Sequence, residues 1–488
     1  MIYLVGAGPG DLGLLTLRGY EVLKRADVVI YDRLVGDGIL ALIPANAEKI
    51  DAGKSSGSHI LSQREIEAVM IERALENKNV VRLKGGDPFL FGRGGEEAEA
   101  IIKAGLKFEV VPGVSSAIAV PEYSGIPVTH RDYCSGLNIF TAHDKNNSLP
   151  DFANTTKIFL MGISHAKELQ DKLMLTLLPE TECAVIENGT TSSQRTIRTK
   201  LCELHASIIR EKVNPPAVIV VGKTASLNLD WRKNFPLNNQ RIIITRPEGR
   251  AQKLAGMLRD LGAEVILLPT IKTSTIHNSL DGVNLSGYDW LGFTSVTGVN
   301  AFFELLSENG RDIREIGNAK IAAIGQATKD ALKSHGLKVD FMPEIFDGKN
   351  LAEGLVKIYG ENSRPKSFDG INHAEEFTKT GGKILMLRAE NGTPEINKTF
   401  RNYGINVNEI CIYRTDYVKL VHVPKFANKI IFTSSSTVRG FCASVDNMRE
   451  VECVCIGGQT AEEARKFGFH NIRIAEQAAI ESIVRACT

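Results

Sequence analysis

Val81-Arg-Leu-Lys-Gly-Gly-Asp-Pro-Phe-Leu-Phe-Gly-Arg-Gly-Gly-Glu-Glu97 is the stretch on which the reading of the amino-terminal half turns. Residues Asn79 to Leu83 read as a short buried strand, because Val80, Val81 and Leu83 favour β structure. Gly85, Gly86, Gly92, Gly94 and Gly95 then fall within eleven residues, and a helical pattern restarts at Glu96. A loop of this kind at a strand's carboxyl end leaves backbone N–H and C=O groups open to a ligand, because no side chain shields them. A plain surface turn needs one or two glycines, not five around Asp87, Pro88 and Arg93.

The amino terminus supplies a second such loop. Ile2 to Val5 is an apolar strand, and Gly6-Ala-Gly8-Pro-Gly10-Asp11 follows at once, with a helical pattern beginning near Leu14. The spacing departs from a dinucleotide fingerprint, whose third glycine would fall at Asp11. Pro9, between two of the glycines, also argues against a plain pyrophosphate site.

Further motifs occur in order around these loops: Tyr31-Asp-Arg-Leu-Val35, Gly53-Lys54, Val111-Pro-Gly-Val114, Gly125-Ile-Pro-Val-Thr-His-Arg-Asp132, Met161-Gly162 and Glu187-Asn-Gly-Thr190. Over residues 1–235 the set resembles the uroporphyrinogen-III C-methyltransferases of the tetrapyrrole methylase family. The 81–97 and 125–132 segments are more similar to these than to the later corrin methylases or the diphthine and ribosomal-RNA enzymes. The resemblance implies a two-lobed α/β fold, S-adenosylmethionine as methyl donor with S-adenosylhomocysteine as product, two methyl transfers to yield precorrin-2, and a homodimer through this half.

Composition agrees with more than one domain. At about 150 residues per domain, 488 residues give roughly three. A formal net charge of +1 without a long basic run speaks against a nucleic-acid partner. No apolar run approaches the ~18 residues of a membrane span, and the chain opens on a strand rather than a signal peptide. The eight cysteines include no C-x-x-C, and Cys453 and Cys455 alternate on an apolar strand, so buried reduced thiols, no metal site and a cytoplasmic location are expected.

A boundary falls between residues 235 and 240. Pro215 to Val221 ends in a strand, Gly222 to Asn239 is polar and turn-rich, and a new strand opens at Arg241. From there the chain repeats itself. Arg241–Val265 aligns with Lys383–Val407, with Gly262 and Gly404 in register; Phe293-Thr-Ser295 and Ile324-Gly-x-x-Thr328 recur as Phe432-Thr-Ser434 and Ile456-Gly-x-x-Thr460. Two similar α/β units with parallel sheets follow from this repeat. Residues Gly360 to Gly382 read as a mobile surface insertion.

The repeated Thr-Ser and Gly-x-x-Thr turns (Thr294, Ser295, Thr328, Thr433, Ser434, Thr460) admit two readings. They are helix caps, or they line a cleft of hydroxyls and helix amino termini suited to carboxylates. The pattern, with Tyr413 in Ile-Tyr-Arg-Thr, resembles uroporphyrinogen-III synthase over residues 240–488. That resemblance implies a second two-lobed fold, one lobe from 241–271 with 418–488 and the other from 275–410, and no cofactor. It also links the halves, because the product of the second family is the substrate of the first.

The methylase resemblance assigns Asp32 as proton acceptor and Lys54 as proton donor, although Asp32 also suits a plain turn. It places S-adenosylmethionine among Pro9, Gly85, Gly86, Asp87, Leu90, Ser115, Ser116, Met161 and Gly189, with Ala217 nearby; Ser115-Ser116 stand where the family commonly has Thr-Ala. Arg33, His130 and Arg131 are candidates for substrate carboxylates, with a structural role equally open to His130. Tyr413 is either the acid that assists loss of a hydroxyl from hydroxymethylbilane or a half-buried strand tyrosine.

The reading that follows is a two-headed enzyme of tetrapyrrole synthesis, ahead of sirohaem or cobalamin, that stops at precorrin-2. Two others stand beside it: an active methylase whose second half only holds tetrapyrrole, and an RNA or protein methylase of the same fold.

Overall fold

The computed structural model describes residues 1–53, 61–141, 154–362, 383–390, 392, 395–403, 405, 407–420 and 422–488. Lys54, Gly404 and residues 363–382 lie outside these; Gly360 to Asn362, expected in the insertion, end a helix that begins at Gly348.

The first sheet holds β1 (Ile2–Gly6), β2 (Val28–Tyr31), β3 (Glu48–Asp51), β4 (Val80–Lys84) and β5 (Phe108–Val111), all parallel, in the order β3-β2-β4-β1-β5. Its strands are valine- and isoleucine-rich because both faces are covered. Val5, Val29, Val81 and Leu83 pack on one side; Ile2, Leu4, Val28, Ile30 and Val80 pack on the other, with Met70 and Ile101 from the flanking helices. Chain order reverses around β1 and β4, which places the loops after these strands side by side at a switch point, where open α/β sheets bind ligands.

The second sheet holds β6 (Gly136–Thr141), β7 (Thr155–Leu160), β8 (Glu182–Glu187), β9 (Arg195–Lys200) and β10 (Ala217–Val221), in the order β6-β7-β10-β8-β9. Only β6 and β7 run parallel.

Ten further strands follow: β11 (Arg241–Ile244), β12 (Glu264–Leu267), β13 (Ile271–Thr275), β14 (Trp290–Phe293), β15 (Lys320–Ala323), β16 (Ile384–Ala389), β17 (Val407–Tyr417), β18 (Lys429–Phe432), β19 (Glu452–Cys455) and β20 (Ile472–Ile474). One parallel sheet runs β12-β11-β18-β19-β20 and the other runs β13-β17-β16-β14-β15, with β13 antiparallel at its edge. The internal repeat is visible in the backbone. Ser295 and Ser434 share an extended conformation before their helices (φ −165° and −169°), as do Gly325 and Gly457 (φ −172° and −175°). Two compact units result, residues 1–270 with 419–488, and residues 271–418.

Residues 223–239, polar enough to read as a bare linker, are packed. Trp231 stands edge-on to Tyr123 and Phe235, and its indole N–H donates to the Glu122 carbonyl at 3.1 Å. Leu237 is buried in the core of the β11 sheet beside Ile242 and Leu258. Phe235 packs on Gly262, where a Cβ would lie 2.5 Å from that of Phe235. Within the first unit the two sequence regions also meet through charge. Arg241, 7 % exposed, pairs with Asp37 at 2.9 Å and Glu264 at 2.8 Å; His422 reaches Asp37 at 2.6 Å, and Glu264 accepts the Ser192 backbone N–H at 2.7 Å.

Burial opposes the charge on Asp37, but the His422 hydrogen bond and the Arg241 charge outweigh it and hold its carboxyl below the usual range. A carboxyl depressed on folding contributes stability that is fully present above its unfolded value of about 4 and is lost as pH falls through the folded value. Between about pH 5 and pH 3 the melting temperature of the wild type should therefore fall more than that of Asp37→Asn. Parallel curves would show that the contact adds nothing.

Candidate active site

The carboxyl ends of β1, β4 and β5 meet almost without side chains. Gly8 and Gly86 exchange backbone hydrogen bonds, N–H to O, at 3.1 and 2.8 Å, so the two glycine loops zip together. A Cβ on Gly113, after β5, would stand 2.2 Å from the Gly86 carbonyl oxygen, and one on Gly6 would stand 2.5 Å from the Gly113 Cα. Gly86 itself takes φ +70°, which favours glycine. Asp87 ties the cluster. One carboxylate oxygen accepts the N–H groups of Phe89 and Leu90 at 2.8 and 3.1 Å, and the other accepts that of Gly113 at 3.0 Å. Ser115 caps the helix Ser116–Tyr123 through the Ala117 N–H, with the Ser116 nitrogen 3.8 Å from where a Gly86 Cβ would be.

Met161, Gly189 and Ala217 lie at one end of the second sheet. β7 ends at Leu160, opposite Val218, and Ala217 pairs with Glu187 at the end of β8. Three non-glycine residues here hold positive φ: Met161 (+56°), Asn188 (+50°) and Thr190 (+66°). For a β-branched threonine that backbone is strained, and strain of this kind clusters at functional sites. Met161 is 48 % exposed despite being apolar. The Thr190 hydroxyl accepts the Asp11 N–H at 3.2 Å, so this end of the second sheet contacts the loop that bears Pro9. Of the ten expected cofactor residues, Gly86, Asp87, Leu90, Ser115 and Ser116 are thus joined in one loop cluster and Met161, Gly189 and Ala217 lie at one end of the second sheet; Pro9 and Gly85 adjoin Gly8 and Gly86 in the chain.

Behind these loops stands a charged cluster that the loop motifs do not announce. Arg82 and Lys84 alternate on β4 with apolar neighbours, so both point to the face covered by the helices Gln63–Leu75 and Gly94–Lys103. Glu97, fully buried on the second helix, accepts from Arg82 at 3.0 Å, Lys84 at 2.9 Å and Gln63 at 3.2 Å through one oxygen, and its other oxygen has no partner. Arg82 also reaches Asp32 at 2.5 Å, and Lys84 lies 3.9 Å from the second Asp32 oxygen. Burial, then the Arg82 charge, pull the Lys84 ammonium below its ordinary value. Asp32, one-third exposed after β2, is therefore no free turn residue. The periodicity of Arg82 and Lys84 on a buried strand was the available signal.

Arg33 and Arg131 are exposed. The His130 Nδ1 accepts the Asp132 N–H at 3.2 Å, and its ring stands edge-on to Tyr133, which organises the turn. Among the described residues no hydrogen bond or ion pair joins these three to Asp32.

In the second half, capping holds for two of the six hydroxyls. Ser434 accepts the Thr437 N–H, and Ser295 accepts the Gly298 N–H at 2.9 Å. Gly325 and Gly457, not threonines, occupy the matching caps, while Thr328 and Thr460 are buried in the first turns that follow. Thr294 and Thr433 precede the capping serines. Tyr413 sits at a register shift between β16 and β17, where the bulge turns its side chain. It is 8 % exposed, packs beside Gly298, and its hydroxyl lies 2.9 Å from that of Ser295.

Residues 1–205 match the family described as Tetrapyrrole (Corrin/Porphyrin) Methylases, and residues 252–485 match Uroporphyrinogen-III synthase HemD. A porphyrin biosynthesis protein HemD of Ruminiclostridium josui is 39 % identical over 99 % of this chain and 96 % of its own length. The chain belongs to the fused tetrapyrrole methylase–uroporphyrinogen-III synthase family. A uroporphyrinogen-III C-methyltransferase of Bacillus subtilis is 36 % identical over 70 % of this chain and 72 % of its own. A crystal structure of uroporphyrin-III-C-methyltransferase from Thermus thermophilus is 38 % identical, covering 46 % of this chain and 94 % of that one, with a TM-score of 0.41. The protein is thus a bifunctional α/β enzyme of tetrapyrrole biosynthesis. No helix among the described residues is long and apolar enough to cross a membrane.

Glu97 compensates two buried cations at once. Glu97→Gln should therefore destabilise the protein by about 3–5 kcal/mol in urea unfolding, the cost of an uncompensated buried charge. A change within about 0.5 kcal/mol, the range of an inert surface substitution, would assign the cluster no structural weight.

Proposed function

We propose that the carboxyl-terminal half closes hydroxymethylbilane to uroporphyrinogen III and that the amino-terminal half methylates this product twice with S-adenosylmethionine, giving precorrin-2 for sirohaem or cobalamin synthesis. The observation that carries the methylase part is the glycine-lined meeting of β1, β4 and β5, where the loops close on one another so tightly that a Cβ on Gly6 or Gly113 would strike the neighbouring backbone. It fits a cofactor recognised by backbone groups, and a uroporphyrin-III C-methyltransferase of Thermus thermophilus, 38 % identical over 46 % of this chain, has been solved in complex with S-adenosylhomocysteine.

Gly85, Gly86, Asp87, Ser115 and Ser116 would hold S-adenosylmethionine from one side, and Met161, Gly189 and Ala217 from the other. When bound it supplies an electrophilic methyl group. The chain's own task is to orient a pyrrole carbon and remove the N–H proton as positive charge develops on the ring. Asp32 suits that role. Arg82 holds one oxygen, while the other has no partner within hydrogen-bonding distance among the described residues. Lys54, the expected proton donor, lies outside the described residues. Arg33, His130 and Arg131 remain candidates for the macrocycle's carboxylates.

In the synthase half, Ser295 is fixed by its cap and can donate to the Tyr413 oxygen, which leaves the phenol O–H free to protonate a departing hydroxyl. Thr294, Thr328, Thr433, Ser434 and Thr460 would offer hydroxyls or helix amino termini to substrate carboxylates. The near-neutral charge and the full-length relative disfavour an RNA or protein methylase.

Gly113→Ala should part the loops and abolish S-adenosylhomocysteine binding in calorimetry, whereas Asp32→Asn should keep binding and lower methylation about 10²–10⁴-fold. Wild-type affinity in the first variant, or wild-type turnover in the second, would remove that role. For the other half, Tyr413→Phe should slow hydroxymethylbilane closure by about 10²-fold at most while the type III isomer still forms. If the wild-type protein gives only the type I isomer, the second half is a holding module and not a synthase.

A further inference from the structure

A cavity of about 210 Å³ lies in the first unit, and none of the residues assigned above to cofactor or tetrapyrrole is among those that line it. Its walls include Asp11, Tyr123, Trp231, Arg232, Phe235 and Arg259, and its lining also includes the Gly10–Gly13 turn, continuous with the loop that bears Pro9. Two features set it apart from a packing defect.

The first is charge without partners. Arg232 is only 9 % exposed, yet no hydrogen bond or ion pair reaches its guanidinium among the described residues; it lies over the Tyr123 ring, 5.2 Å from the centroid. Arg259 likewise has no such bond among the described residues. Burial works against its charge, and Asp11 is the acidic group that supports it. Asp11 is already committed, accepting the Gly13 N–H at 2.7 Å and the Tyr123 hydroxyl at 3.0 Å. Glu264, also on the wall, is taken by Arg241 and the Ser192 N–H. Each guanidinium offers five donors, and both residues line the cavity.

The second is shape and surface. Tyr123, Trp231 and Phe235, edge-on to one another, line the same space. A dry cavity of about 150 Å³ is enough for benzene, so this one has room for a single ring with one or two short acid groups. Aromatic walls with two open guanidiniums select a flat anion over a spherical one.

We propose that this cavity is a binding site for a small aromatic carboxylate, one ring in size, held by Arg232 and Arg259 between Tyr123, Trp231 and Phe235. A single pyrrole carrying acid side chains, the repeating unit of a linear tetrapyrrole, falls within this class. No residue assigned to the cofactor lines the site, and its existence does not depend on which reactions either half performs.

Calorimetry on the full chain with isophthalate, glutarate and inorganic phosphate tests it. Isophthalate should bind saturably, and more tightly than glutarate or phosphate. Arg232→Gln and Arg259→Gln should each weaken it about tenfold or more, as loss of charge-assisted hydrogen bonds does. Arg259→Gln leaves the cation over Tyr123 in place, so it keeps the test decisive if Arg232→Gln melts early. No saturable isophthalate binding at about 10 mM, equal affinity for phosphate, or wild-type affinity in Arg259→Gln would overturn the proposal.

Discussion

The methylase half depends on how closely three strand ends approach. Gly6, Gly86 and Gly113 touch at separations that leave no room for a methyl group, and the backbone bonds between Gly8 and Gly86 hold β1 and β4 together beyond the sheet proper. This contact makes the ligand-facing surface out of peptide groups instead of side chains. It also explains Asp87, whose carboxylate accepts three N–H groups that the tight turns cannot satisfy internally. Were the loops splayed, those N–H groups would turn to water and the cradle would lose its shape.

A second layer is electrostatic. Arg82 and Lys84 sit on a strand buried on both faces, where a lone charge would be prohibitive. Glu97 and Asp32 make it tolerable, and because Glu97 lies on the covering helix, helix and strand are locked in register. Asp32 is then aimed by a group that is itself immobile. In the second half the hydroxyls of Ser295 and Ser434 cap the helices that follow them. The Ser295 hydroxyl is also within hydrogen-bonding distance of that of Tyr413.

Much of this was legible in the sequence. The two glycine loops, the α/β alternation and the internal repeat are local patterns, and local patterns survive in a one-dimensional reading. The partner of Gly86 was not legible, because Gly113 is 27 positions later and only the parallel pairing of β5 with β1 brings it close. The positive φ of Met161, a cofactor candidate from its motif, and of Thr190 was not legible, because neither side chain favours that backbone conformation. Residues 223–239 look like a tether by composition. They pack because Trp231, Phe235 and Leu237 are spaced among the polar residues and each finds a different surface.

The charges that join the two sequence regions inside the first unit have a further consequence. Arg241 is buried between Asp37 and Glu264, one from each region, and Glu264 in turn holds the N–H of Ser192, two residues from Thr190. Burying such groups recovers little net free energy, since desolvation offsets most of the attraction. What the arrangement does provide is direction. Ion pairs and hydrogen bonds fail quickly when groups shift or rotate, while apolar contacts slide. A strand of the synthase region is thereby fixed against the loop that follows β8, and that loop, through the Thr190 hydroxyl and the Asp11 N–H, is fixed against the loop that follows β1. The fused chain thus braces its methylase cradle from outside the methylase fold.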